Sequence, residues 1–404
     1  MKYIIVLGDG MADEPIPSLG NKTPIQAADT PAMDWLALHG RCGRLNTVPE
    51  GYEPGSEIAN MAILGYDLPT VFEGRGSLEA ASMGIDIAPG EMAMRCNLIC
   101  IEEGKIKNHS AGHISNEEAA ELIAFLQKEL GDETVHFFPG ISYRHLLKIK
   151  GGNKALKCTP PHDVPGCAFG EVMIQPLDAA AAPTAELLNR LILRSQELLP
   201  LHPVNLRRRE EGKDMANSIW PWSPGYKPRM ATLSARYGIG RGAVISAVDL
   251  IKGIGVYAGL RPIEVPGATG LYDTNYEGKI AAAIEALRTD DFVYLHIEAS
   301  DEAGHEGDAE LKKRTIEYLD HRVLQPLLEA ADSFGEPLTI ALLPDHPTPC
   351  RLRTHTAAPV PFVIYKPGET PDAVQRYDEA SVASGYYGTL TGEQFIQALF
   401  AKPA

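Results

Sequence analysis

The mostly apolar run Leu338–Leu343 reads as a buried strand, and Pro344 ends it directly before Asp345-His346. A carboxylate and an imidazole side by side at the mouth of a buried strand are poor packing choices. They are good metal ligands, one hard oxygen and one borderline nitrogen. His355 follows in a second polar loop before the next apolar run, Val360–Tyr365. Taken alone, Asp345 could cap a turn and the histidines could sit at the surface. Two further stretches repeat the arrangement. Asp291–Ile297 empties into EASDEAGHEGD, where Asp301 and His305 stand four apart and so share one helical face. At the N-terminus, YIIVLG delivers Asp9 between two glycines. Three apolar strands with acids or acid–histidine pairs at their carboxyl ends fit an open α/β sheet, which binds ligands in the crevice outside those ends.

A chain of 404 residues exceeds one comfortable core and implies two domains. The formal charge of −16 argues against a nucleic-acid partner, which would require a basic stripe. The six cysteines contain no CxxC pair, which reads as reduced thiols in a cytoplasmic protein. The first strand begins near Tyr3, leaving no room for a signal peptide, and no apolar run is long enough for a bilayer.

Along the chain, Thr30-Pro31 opens a helix, with Thr30 as N-cap. Gly43–Val48 reads as a strand, and Ser56 stands directly before a helix of about Glu57–Leu64. A serine there can simply be an N-cap. It can equally carry a phosphoryl group that the helix dipole and backbone N–H groups would stabilise. Arg75 lies between glycines in FEGRGS, suited to an anion or to a tight turn. From about Glu91 the texture changes to strand, Glu-Gly turn and short strand, then a helix capped by Asn116, a hairpin-like pair (Val135–Phe138, Tyr143–Ile149) and a long helix, Pro183–Leu199. Thr159–Gly166 is either a substrate loop or a linker, and Arg207–Arg209, balanced by Glu210 and Glu211, reads as a solvated surface. Trp220–Pro228 reads as a return linker. Strands at Ala243–Ala247 and Pro262–Val265 then resume the α/β rhythm. The expected organisation is a discontinuous domain of residues 1–88 and 226–404, with residues 89–225 inserted as a smaller α+β domain.

Asp9, Asp301, His305, Asp345, His346 and His355, with Ser56, are more donors than one ion needs. Two divalent ions about 4 Å apart clamp the attacking and leaving oxygens of phosphoryl transfer. Metal coordination is also a recognised way to activate a serine hydroxyl. A hydrolase using water is the rival chemistry from the same residues. A closed structural site would be richer in cysteine.

Asp9 in GDGMAD, Ser56 in PGSEIANMAILGYD, Asp301 and His305 in DEAGH, Asp345-His346 in PDHPTPC and His355 in RTHT together resemble the alkaline phosphatase superfamily. With FEGRGSLEA, MRCNL, ISAVDLIKGIGVYAG and VPGATG, they more closely resemble the archaeal-type, cofactor-independent phosphoglycerate mutases. The resemblance implies an alkaline-phosphatase-like three-layer α/β metal domain with the insert binding a phosphorylated small-molecule substrate. It also implies two divalent ions, Mn²⁺, Zn²⁺ or Mg²⁺. Asp301, His305 and His355 would bind one ion, and Asp9, Ser56, Asp345 and His346 the other. Ser56 would take the phosphoryl group and return it to the neighbouring hydroxyl, and Lys252 in DLIKG would contact phosphate.

One segment departs from the family pattern. NHSAGHI places Ser110 and His113 where an arginine-rich DRRAGRI-like segment is expected, and bidentate arginine suits a substrate bearing both carboxylate and phosphate. NHSAGHI, YRHL and TPPHD are similar to a subgroup proposed to act as homoserine kinases in threonine biosynthesis. Substrate-binding candidates under either reading are Arg75, His109, His113, Arg144, His162 and Asp163. The leading expectation is a glycolytic phosphoglycerate mutase. The homoserine kinase is the alternative, and a non-catalytic phosphometabolite binder is a third.

Overall fold

Apolar strands without polar alternation bury both faces only in a sheet covered by helices on each side. The computed structural model, which describes residues 1–402, has that arrangement. An eight-stranded sheet runs in the order Arg261–Pro262, Gly242–Ile245, Phe292–Ile297, Lys2–Gly8, Leu338–Leu343, Val360–Tyr365, Arg41–Asn46, Thr389–Thr391. The first five are parallel, and Val360–Tyr365 runs against its two neighbours. The three strands expected to deliver acids are adjacent at the centre of the sheet. Gly8 pairs with Ile297 and Leu7 with Leu343, so their carboxyl ends are level.

Ile4 and Val6 face a core shared with Met33 and Leu36 of helix Pro31–His39, Ile280 of Tyr276–Thr289, and Ile316. On the opposite face, Tyr3 and Phe292 meet the Phe400 ring of helix Gly392–Phe400. Helix Ser56–Ile63 packs against Gly392–Phe400 and against Asp249–Tyr257. The result is three layers. Thr30 stands at the N-cap of Pro31–His39 but makes no side-chain cap bond. Asp320, opening the π-helical turn Asp320–Leu324, accepts from the N–H groups of Ala32 (3.1 Å) and Met33 (2.7 Å) instead.

The chain divides into two compact units, Met1–Phe72 with Arg229–Ala404, and Glu73–Pro228. The second is built on a five-stranded antiparallel sheet around the long strand Glu91–Glu102, with Arg144–Lys150 and Ser218–Gly225 on either side. Helices Asn116–Leu130 and Ala182–Leu198 supply Leu122, Ile123, Leu188 and Ile192 to its core. Among the described residues, no helix is long and apolar enough to cross a membrane.

Several boundaries differ from the expectation. Residues 73–88 belong with the insert, because helix Arg75–Ser82 lies on its sheet. Gly76 permits this: a Cβ there would fall 2.6 Å from the Ala93 carbonyl. Trp220–Pro228 is not a linker along its first part, since Ser218–Gly225 is a strand with Trp220 and Trp222 in the core. It pairs with Glu91–Glu102, with a register shift across the segment that holds Pro224, an edge-strand setting in which proline is tolerated. The expected strand Pro262–Val265 shortens to Arg261–Pro262. Ser115, not Asn116, caps Asn116–Leu130. Within the basic run Arg207–Arg209, Arg208 is buried rather than solvated, donating to the carbonyls of Asp214 (2.8 Å) and Ala111 (2.7 Å) and pairing with Glu118.

Candidate metal centre and active site

Because the three central strands end level, the residues just beyond them converge. Asp9 follows Lys2–Gly8, and its N–H donates to the Ile297 carbonyl at 2.8 Å. Asp301 and His305 lie on helix Ala299–Glu306, just past Phe292–Ile297, while Asp345 and His346 follow Leu338–Leu343. His346 Nε2 stands 3.6 Å from Asp9 Oδ1, 3.6 Å from Asp345 Oδ2 and 3.2 Å from Ser56 Oγ. On the other side, His355 Nε2 is 3.4 Å from Asp301 Oδ1 and His305 Nε2 is 3.2 Å from Asp301 Oδ2. Two donor sets, Asp9–Asp345–His346 and Asp301–His346–His355, each fall within 4.8 Å, and His346 belongs to both.

These residues fit a divalent cation. Asp9 Oδ1 is buried and accepts no hydrogen bond, which is costly unless a cation faces it. Burial and the neighbouring carboxylates of Asp345 and Asp301 push the Asp9 carboxyl well above its ordinary range, a repulsion that a dication would relieve. The donors are all hard oxygens and imidazole nitrogens, a set that suits Mn²⁺, Zn²⁺ or Mg²⁺.

Ser56 is not the N-cap of its helix. Gly55 occupies that place, and Ser56 is the first residue of Ser56–Ile63, leaving its hydroxyl free of any capping bond and turned to His346.

A second ring of buried groups orients these donors. Asp345 Oδ1 accepts from the N–H groups of Gly10 (3.1 Å) and His346 (2.9 Å), and Oδ2 accepts from Asn60 Nδ2 (2.9 Å). Tyr294 donates its hydroxyl to Asn60 Oδ1. His296 stands behind Asp9, its Nε2 3.2 Å from Asp9 Oδ2 and its Nδ1 3.1 Å from Glu298 Oε1. Glu298 also accepts from Ser246 Oγ and the Ala247 N–H, each at 2.9 Å, and pairs with the buried Lys279. Burial works against a charged His296, but Asp9 and Glu298 outweigh it and hold the imidazole up at about 10. Thr348 donates its hydroxyl to Asp301. Lys312, fully buried, donates to the carbonyls of Ala12 (3.1 Å) and Thr348 (2.8 Å) and to Asp13 Oδ2 (2.9 Å), stapling the loop after Asp9 to the loop after His346.

Lys252 is the exception among the residues expected here. Its ammonium sits between Glu264 Oε1 (2.9 Å) and Asp249 Oδ1 (3.0 Å), on a helix that packs beside Ser56–Ile63. Burial opposes its charge, and the two carboxylates more than compensate, raising its pKa.

The six substrate-binding candidates all lie in the second unit, five of them around Tyr143 and Trp222. The His109 ring packs against Tyr143 (5.4 Å between centroids) and His162 (5.9 Å), and His162 against Trp222 (5.3 Å). Arg144 stands over Tyr143 at 5.6 Å, and the His113 ring lies 6.3 Å from the same ring. Asp163 is exposed, 3.6 Å from His162 Nε2. Arg95, which the sequence did not single out, stacks on Trp222 at 4.4 Å and pairs with Glu79 at 3.0 Å. Burial lowers its pKa, as do the like charges of Arg75 and Arg144, against the opposing Glu79. Guanidinium groups thus come together from three separate elements, not from one arginine-rich segment. Burial, and then His113, lowers the pKa of His109; His162 is lowered by burial with Arg95 and Arg75 nearby. Burial thus favours the uncharged form of both rings.

Sequence reading also missed His296, Glu298, Asn60, Tyr294, Lys279 and Lys312. His296 carried a signal: an imidazole inside the otherwise apolar DFVYLHI.

A model of the 2,3-bisphosphoglycerate-independent phosphoglycerate mutase family matches residues 37–205. The chain is 52% identical over 402 residues to the 2,3-bisphosphoglycerate-independent phosphoglycerate mutase of Methanosarcina mazei, covering 99% of each chain. Its fold is similar to a solved protein from Pyrococcus horikoshii, with TM-score 0.83 and 28% identity over 100% of this chain and 98% of that one. The cofactor-independent phosphoglycerate mutase of Thermoplasma acidophilum is also similar, with TM-score 0.70 and 28% identity over 99% of both.

Proposed function

The chain belongs to the 2,3-bisphosphoglycerate-independent phosphoglycerate mutases, and on that premise we propose that it interconverts 3- and 2-phosphoglycerate through a phosphoserine at Ser56. Two divalent ions, Mn²⁺, Zn²⁺ or Mg²⁺, would be held by Asp301, His305 and His355 on one side and by Asp9, Ser56, Asp345 and His346 on the other. When bound, such ions neutralise phosphoryl charge and lower the pKa of a coordinated hydroxyl.

The remaining steps belong to the chain's own residues. Ser56 Oγ attacks the phosphorus of 3-phosphoglycerate; the bond from phosphorus to the C3 oxygen breaks as the bond to Oγ forms. The serine hydroxyl gives up a proton in this step and the C3 oxygen gains one. In the return transfer the C2 hydroxyl attacks the phosphoserine and loses its proton, and Ser56 recovers one, so no proton is consumed over the cycle. The N-terminal N–H groups and dipole of helix Ser56–Ile63 favour the added negative charge. We assign anion recognition to the cluster of the second unit in which the guanidinium groups of Arg75, Arg95 and Arg144 stand with the imidazoles of His109, His113 and His162, and the His162 contact to Asp163. Lys252 would take the phosphate once it exchanges its exposed partner Glu264 for it.

The observation that carries this reading is Ser56 Oγ lying 3.2 Å from His346 Nε2 inside a donor cluster built for cations. The homoserine kinase alternative is not favoured, because the relatives matching the full chain are named as mutases. A purely binding role leaves the complete donor set without a purpose. Six free thiols accord with the cytoplasm as the site of action. In the deciding assay, metal-loaded protein converts 3-phosphoglycerate without added bisphosphoglycerate, and Ser56→Ala does not. Full mutase turnover by Ser56→Ala would remove the phosphoserine intermediate, and release of inorganic phosphate and glycerate by that variant would make water the nucleophile. Phosphorylation of homoserine by ATP in place of mutase activity would restore the kinase.

A further inference from the structure

One buried side chain touches both the nucleophile's backbone and a carboxylate of the donor cluster. Asn60 is fully buried on helix Ser56–Ile63, one turn beyond Ser56. Its Nδ2 donates to the Ser56 carbonyl at 2.8 Å and to Asp345 Oδ2 at 2.9 Å. Both partners are pure acceptors, so the amide nitrogen must face them and Oδ1 must face away. There it meets the Tyr294 hydroxyl, which can only donate. Tyr294 is 1% exposed and rooted in the central strand Phe292–Ile297, so the amide cannot turn over without setting Oδ1 against two acceptors and leaving the Tyr294 hydroxyl proton without its acceptor.

We propose that Asn60, locked by Tyr294, is the positioning residue that sets the spacing between Ser56 and Asp345. The inference rests on the phosphoserine reading and adds to it the device that holds the hydroxyl in register with the cluster. A nucleophile displaced by about 1 Å costs on the order of 100-fold in rate while substrate affinity stays as it was.

The test compares Asn60→Ala, Asn60→Asp and Tyr294→Phe with Ser56→Ala, at saturating Mn²⁺. In Asn60→Ala, kcat and the single-turnover rate of Ser56 phosphorylation by 3-phosphoglycerate are expected to fall about 10–100-fold, with KM and bound manganese unchanged. Asn60→Asp should fall further, since it places a carboxylate against Asp345 and donates to neither acceptor. Tyr294→Phe keeps the ring's packing, frees the amide to turn, and gives a smaller loss on kcat alone; it remains informative if the Asn60 variants do not fold. Wild-type kcat in folded Asn60→Ala and Tyr294→Phe overturns the inference. So does a loss that appears only at limiting Mn²⁺ and vanishes at saturation, which would make Asn60 a determinant of metal affinity only. Turnover by Ser56→Ala would instead remove the phosphoserine reading, and this inference with it.

Discussion

The Nε2 atoms of His305 and His355 lie 2.9 Å apart, and each faces one oxygen of Asp301, at 3.2 Å and 3.4 Å. His305 Nδ1 faces the Arg353 carbonyl at 3.0 Å, which can only accept, so the neutral ring carries its hydrogen there and turns the Nε2 lone pair inward. Without a cation, Asp301 holds the His305 imidazolium up at about 9. Metal binding is therefore expected to release protons and to weaken as pH falls, measurable by calorimetry in buffers of different ionisation enthalpy. His305→Ala should lower bound metal, read by elemental analysis, by more than the roughly 10–100-fold in affinity that an outer partner costs.

Gly10 is left-handed (φ 60°), and a Cβ there would stand 2.5 Å from Asp301 Oδ1 and 2.6 Å from Thr348 Oγ1. Gly10→Ala should displace Asp301 and reduce metal stoichiometry, besides the backbone cost of about 1–2 kcal/mol. Gly20, also left-handed (φ 71°) but with open space around it, is the control: Gly20→Ala should show the backbone cost and keep full metal content.

Lys312→Met removes the staple between the loops that follow Asp9 and His346 and leaves Asp13 as a buried carboxylate without its cation. Breaking one side of a buried pair costs about 3–5 kcal/mol, which urea denaturation should register. The double variant Lys312→Met/Asp13→Leu should regain part of that loss.

Asp320 gives a pH dependence of opposite sense to the usual carboxylate. Burial pushes its folded pKa up to about 6, against the bonds from Met33 and Ala32 that favour the charge. A carboxyl held above its unfolded value of about 3.9 binds its proton more tightly in the native state. This group therefore detracts from stability above pH 6, and the deficit disappears as pH falls from 6 towards 4. Asp320→Asn should remove that slope from the denaturation midpoints while retaining an acceptor for Met33. Asp320→Ala should cost about 0.5–2 kcal/mol as a lost helix cap.

The Asp and His residues that the fold brings together stood out in the sequence because such groups at the mouths of apolar strands have few structural reasons to be there. Their mutual distances are a property of the sheet order, which places Lys2–Gly8 between strands from the far end of the chain. The supporting residues were not legible. Asn60 and Lys312 are polar side chains of ordinary helices, and only the fold shows that their partners lie 285 and 299 residues away. Trp220 and Trp222 were hidden by Pro221 and Pro224, which resemble a linker until the strand is known to pair along one side only. Gly74 and Gly76 looked like a turn, and the tight approach of a helix to a sheet gave them their use. Arg95 was one basic residue in an apolar strand, and its stacking partner Trp222 is supplied by a different strand.

The central position of the first strand also bears on how the protein is made. Asp9 leaves the ribosome long before the strands on either side of its own, Phe292–Ile297 and Leu338–Leu343. Residues 73–228 form one uninterrupted segment and can fold while the remainder is still being translated. The catalyst would then be switched on in a single late event, when the loop carrying Asp345 and His346 slots beside a strand that has waited for it, and a chain terminated before that loop would be inert.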